Sequence, residues 1–109
     1  MARQTVMLSK NLAVGQTQTL DTVLPAGDYI FSRGTTLGVV ETFAGTAVLD
    51  PGGASEELLM SADVPFDYGF QRARTLAAPK TLRLTLTSLD LAETRWSSVV
   101  VEFDALNTG

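Results

Sequence analysis

Residues 80–87 read Lys-Thr-Leu-Arg-Leu-Thr-Leu-Thr, an unbroken alternation of polar and apolar positions. Successive side chains of a strand point to opposite faces, so Leu82, Leu84 and Leu86 share one face and Thr81, Arg83, Thr85 and Thr87 the other, which predicts a half-buried β-strand. Leu89 and Leu91 fall out of phase with it. A one-residue shift reverses the faces, so the strand is predicted to end or bulge near Ser88, with residues 88–95 as a returning connection. A β-branched run over residues 96–103 predicts the next strand, with Val99, Val101 and Phe103 on its core face. Trp96 and Val100 then lie on the opposite face, which is too apolar for a plain solvent surface.

Similar patterns recur upstream. Residues 17–24 place Leu20, Thr22 and Leu24 on one side, Pro25 to Gly27 suits a type I turn, and residues 28–33 read as a further strand. Gly34 to Gly38 reads as a break, followed by strand-like residues 39–43, a pivot at Gly45, and residues 46–49. Asp50-Pro51-Gly52-Gly53 fits a type II turn, with Pro second and Gly third. Residues 54–60 have the composition of a helical turn capped by Ser55, with Glu56 and Glu57 at its positive end. Residues 64–72 suggest an edge or irregular strand, because Pro65 and Gly69 weaken a central one. Turn signals every eight to twelve residues or so predict an all-β fold: a single-domain, antiparallel β-sandwich of about seven to nine short strands, with jelly-roll and immunoglobulin-like topologies both open.

At 109 residues the chain suffices for one domain. The expectation is one sandwich over residues 1–109, with residues 1–15 either an ordinary first strand or an arm packed on a neighbour. Val6, Met7, Leu8, Leu12 and Val14 give that segment its apolar content. Neither the N-terminus nor any later segment has the apolar length of a signal peptide or membrane span, so no membrane association is expected. With no Cys and no His, disulfide staples are excluded, a structural zinc site is disfavoured and a reducing cytosol is the expected compartment. The net charge of -4 argues against nucleic acid as a partner. The charge is uneven, with Arg72, Arg74, Lys80, Arg83 and Arg95 gathered in one region and Asp50, Glu56, Glu57, Asp63 and Asp67 in another. That arrangement suits head-to-tail contact between copies.

Chemistry is sparse. Without His or Cys the commonest general base and thiol nucleophile are missing. The carboxylate pairs that remain, Asp63 with Asp67 and Glu56 with Glu57, read as solvated surface acids. No EF-hand spacing or phosphate loop is present. The chain is therefore expected to be neither an enzyme nor a cofactor or metal binder. Most aromatic residues occupy strand positions where core packing explains them. Tyr68 and Trp96 are the exceptions and stand as candidate ligand contacts in a carbohydrate- or receptor-binding reading. Val6, Met7, Leu8, Leu12, Trp96 and Val100 are the candidate interface residues.

The Leu-Pro-Ala-Gly-Asp-Tyr turn, the Gly-punctuated middle, the Leu-Arg-Leu-Thr-Leu-Thr strand and the closing Val-Val-Val-Glu-Phe strand together resemble small jelly-roll or related β-sandwich proteins, a resemblance that implies a jelly-roll-like β-sandwich. Among these the chain resembles the capsid decoration, or cement, proteins of tailed bacteriophages, in overall character and not through a diagnostic motif. The resemblance implies a virion subunit made in the host bacterial cytoplasm. It also implies a major capsid protein and copies of itself, as trimer or dimer, for partners. It assigns no functional residue.

Overall fold

The computed structural model describes residues 2–39, 41–61, 65 and 71–106. Among these residues it is an antiparallel β-sandwich of eight strands, namely β1 (Ala2–Leu12), β2 (Thr17–Leu24), β3 (Gly27–Gly38), β4 (Phe43–Leu49), β5 (Glu57–Ser61), β6 (Arg72–Leu76), β7 (Lys80–Ser88) and β8 (Arg95–Ala105). One sheet has the order β1-β8-β3-β6 and the other β2-β7-β4-β5. Two further ladders, β3 with β8 and β4 with β7, complete the sheets. Strand pairs β1/β8, β2/β7, β3/β6 and β4/β5 nest like one long hairpin with its tip between β4 and β5. Consecutive described strands lie in different sheets except across that tip. A long hairpin folded over in this way is the jelly-roll arrangement, and it lets both sheets bury one face against each other.

The sequence periodicity maps directly onto the layers. β7 ends at Ser88, and Leu82, Leu84 and Leu86 are fully buried. Their neighbours across the ladder are Leu49, Ala47 and Gly45 of β4. The facing sheet contributes Val99, Val101 and Phe103 from β8, Tyr29 and Phe31 from β3, and Leu8 and Leu12 from β1. Phe103 lies 5.7 Å from Phe31 and 5.8 Å from Tyr29 between ring centroids, tilted to the one and edge-on to the other. Tilted and edge-on rings of this kind bring positive edges toward negative faces.

Three local expectations are corrected. Gly34 to Gly38 is no break, because β3 pairs with β8 without interruption from Arg33 to Gly38. Glycine is used at position 38 for close approach: a Cβ there would sit 2.7 Å from Phe43 Cε1 and 3.2 Å from the Trp96 carbonyl oxygen. Val39, Glu41 and Thr42 belong to the crossover and not to a strand, and Thr42 closes it, its amide and hydroxyl both donating to the Val39 carbonyl. Residues 54–60 form no helix. Seven residues cannot repay helix nucleation, whereas β5 gains a ladder with β4. The 51–52 turn agrees with expectation: Gly53 N donates to Asp50 O at 3.0 Å, and Gly52 has a φ of 76°.

Among the described residues, several charged side chains of the basic and acidic regions are paired within the chain. Arg74 donates to Glu57 at 2.7 Å, Lys80 lies 3.5 Å from Asp50, and Arg83 binds Asp21 through both carboxylate oxygens. Arg72 donates to the Leu59 carbonyl. Arg74, Lys80 and Arg83 thus each meet an acid of their own molecule.

Candidate functional site

The candidate interface residues fall into two groups. β1 runs antiparallel to β8, with Met7 opposite Val100 and Asn11 opposite Trp96. Leu8 and Leu12 point between the sheets and are buried, and Val6 packs against the same core. Met7 and Trp96 point outward and are 55% and 49% exposed. Val100 also points outward, but its neighbours cover it. Tyr68 lies outside the described residues, as do Asp63, Phe66, Asp67 and Phe70.

A β-bulge brings a further residue to this face. The β3–β8 register shifts between Phe31 and Arg33, so Phe31 and Ser32 both turn inward and are fully buried. Every later residue of β3 is thereby reversed. Arg33, Thr35 and Leu37 face outward, opposite Glu102, Val100 and Ser98. Leu37 is consequently exposed beside the Trp96 end of β8. Between Met7 and Trp96, Ser9 Oγ and Ser98 Oγ bond to each other at 2.7 Å, so the polar atoms in the middle of the face are partners. Toward the other end Arg3 pairs with Asp104 at 2.8 Å and Arg33 with Glu102 at 3.3 Å, which makes that half of the sheet charged.

The Trp96 end continues onto the tip of the sandwich. The ends of β1, β3 and β7 and the starts of β2, β4 and β8 converge there, since Leu12 pairs with Arg95, Gly38 with Ser97, Thr17 with Thr87 and Phe43 with Ser88. Two backbone bonds tie the connections together: Ser88 N donates to Gln16 O, and Leu89 N to Thr42 O. Val14, Leu37, Val39, Leu89, Leu91 and Trp96 are all exposed at this end, Leu91 at 93%. Six of the nine exposed large apolar side chains among the described residues therefore share one end of the molecule. The opposite end carries the connections at Pro25 and Pro79 and the Asp50-Pro51 turn.

Asp90 shapes the β7–β8 connection. Its Oδ1 accepts from the amides of Ala92 and Glu93, both at 2.8 Å, and its Oδ2 accepts from Arg95 Nε at 2.9 Å. The Arg95 guanidinium, then the two amides, hold its carboxyl down at a pKa of about 2. This fixed turn sets Leu91 in solvent and leads the chain into Trp96. The two leucines out of phase in a predicted connection were the sequence signal for this end; Val39 and Leu37 had none.

A separate cleft of about 370 Å³ opens between the free edges of β1 and β2, lined by Gln4, Thr22, Leu24, Asp28, Tyr29 and Phe103 among others. Its rings offer no stacking surface. Tyr29 and Phe103 are buried, and the Tyr29 hydroxyl donates to the Pro25 carbonyl at 2.6 Å. Among the described residues no cluster of acidic side chains could hold a metal ion. Comparison with protein-family models, curated proteins and solved structures gives no match.

Proposed function

We propose that this chain is a non-enzymatic structural subunit of a virion, a capsid decoration protein whose apolar tip and adjoining Trp96 face dock on the shell of a phage head. The observation that carries the reading is the concentration of exposed Val, Leu and Trp side chains on connections fixed by backbone and Asp90 hydrogen bonds. A rigid apolar patch of this kind is the physical signature of a surface that another surface covers. The jelly-roll strand order and the unbroken sheet behind the patch support it, since a stiff scaffold loses little entropy on docking.

The energy scale suits a repeated contact. Burying Leu91 alone is worth about 1.5–3 kcal/mol, much of which association entropy offsets. A single such tip binds weakly, and a lattice of them binds firmly, because each occupied neighbour raises the effective concentration of the next.

Mass spectrometry of purified particles of the virus that encodes the chain tests this directly. The expected result is the protein at a fixed copy ratio to the major shell protein, with occupancy reduced at least tenfold in Leu91→Ser and Trp96→Ala. Both variants should melt within a few degrees of the parent, since the side chains are exposed. Absence from particles, undiminished occupancy of both variants, or partition of the protein onto neutral lipid vesicles through Leu91 would overturn the reading.

A further inference from the structure

The four sheet edges are not alike. β5 and β6 are five residues each, β5 meets its neighbour through a register shift, and the Glu57–Arg74 pair links the two. β2 carries Asp21 near mid-strand, where two-fold pairing centred on that residue would set the acid against its own copy. β1 has none of these devices. It is eleven residues long, contains no Pro, holds one continuous register to β8, and among the described residues no strand covers its other side. Long, regular edges of this kind template pairing with another strand, which native proteins ordinarily prevent.

We infer that the β1 edge pairs with β1 of a second copy, antiparallel about a two-fold axis through Met7, joining two four-stranded sheets into one of eight. Met7 is the midpoint of Ala2–Leu12, so this register alone pairs the strand along its full length. It sets Arg3 against Asn11, Gln4 against Lys10, Thr5 against Ser9 and Val6 against Leu8 of the partner copy. No like charges face each other, and apolar positions meet apolar ones. A shift of the axis by half a residue would pair outward with inward side chains and turn the two sheet faces over. A shift by one residue in the C-terminal direction sets Lys10 against Val6. The matched register leaves the two Met7 side chains adjacent on the outer face. A closed two-fold contact also leaves no free β1 edge for further growth. The pairing stands independently of the virion reading, because it uses the edge of the sheet and not the tip.

The chain has no cysteine, which allows a register-specific test. In this register the two copies of residue 7 face each other with Cα atoms about 4.5–5.5 Å apart, within disulfide reach, whereas the two copies of residue 11 lie roughly 27 Å apart. Under mild oxidation of the full chain, Met7→Cys should give a disulfide-linked pair and Asn11→Cys should remain unlinked at the same concentration. Sedimentation of the parent should show a species of twice the 11.6 kDa chain mass. Met7→Lys, exposed and therefore harmless to the core, should weaken that association at least tenfold with the melting profile of the monomer retained. A monomer at every concentration, a trimer, or linkage of Asn11→Cys as fast as Met7→Cys would overturn the inference.

Discussion

Replacing Gly45 with alanine tests how closely the two sheets approach. Gly45 lies on the inward face of β4, and a Cβ added there would stand 2.8 Å from Thr36 Cγ2, 3.4 Å from Leu86 Cδ2 and 3.7 Å from Val99 Cβ. The first distance is well inside van der Waals contact, and Thr36 is β-branched, so its methyl cannot move aside without leaving a preferred rotamer. Overpacking of this kind costs about 1–3 kcal/mol, while removing glycine from a strand returns about 0.4–1 kcal/mol through the unfolded chain. The net expectation is a loss of about 0.5–2 kcal/mol, equivalent to roughly 4–8 °C in melting temperature per kcal/mol for a domain of this size. Urea titration should show the midpoint of Gly45→Ala lowered with its slope unchanged. Thr36→Ser removes the obstructing methyl, so the double variant should recover most of the loss, with a coupling energy of at least about 0.5 kcal/mol. Parent-like stability of Gly45→Ala, or additivity of the two changes, would refute the packing argument.

The other expectations concern hydrogen bonds. The Asp90 carboxyl is depressed from an ordinary value of 3.8 to about 2, so its contribution is complete above pH 4 and is lost as pH falls through about 2. Stability curves of the parent and Asp90→Asn should therefore differ near neutrality and draw together as pH falls from about 4 through about 2; a gap that stays constant across that range would contradict the assignment. Tyr29→Phe removes the bond to the Pro25 carbonyl where the chain crosses from β2 to β3, and urea titration should show a loss of about 0.5–1.5 kcal/mol.

Strand identity and core membership were legible in the sequence wherever alternation ran uninterrupted. Leu82, Leu84 and Leu86 and then Val99, Val101 and Phe103 fell on their buried faces because the pleat has a period of two and only one phase is apolar. The 51–52 turn was legible because Pro and Gly at those positions admit few backbone geometries. Chemistry confined to neighbouring residues is encoded locally. Residues 54–60 show the limit, since their helix-like composition yielded to the ladder that β4 offered.

The candidate site belongs to tertiary structure. Alternation counted from Tyr29 and Phe31 would bury Leu37, and only the bulge at Ser32, fixed by pairing with β8, turns it outward. Val14, Val39 and the Leu89/Leu91 pair sit far apart in the chain, and nothing local to any of them tells that three connections meet. They meet because the folded hairpin brings the ends of β1, β3 and β7 to the same end of the sandwich, where Ser88 and Leu89 bond the connections together. Where alternation ran uninterrupted, the sequence by itself determined which residues make strands and which strand faces are apolar, because side-chain direction follows from backbone periodicity. Which apolar residues remain in solvent, and that they remain there together, was decided by long-range strand pairing, whose register no local pattern contains.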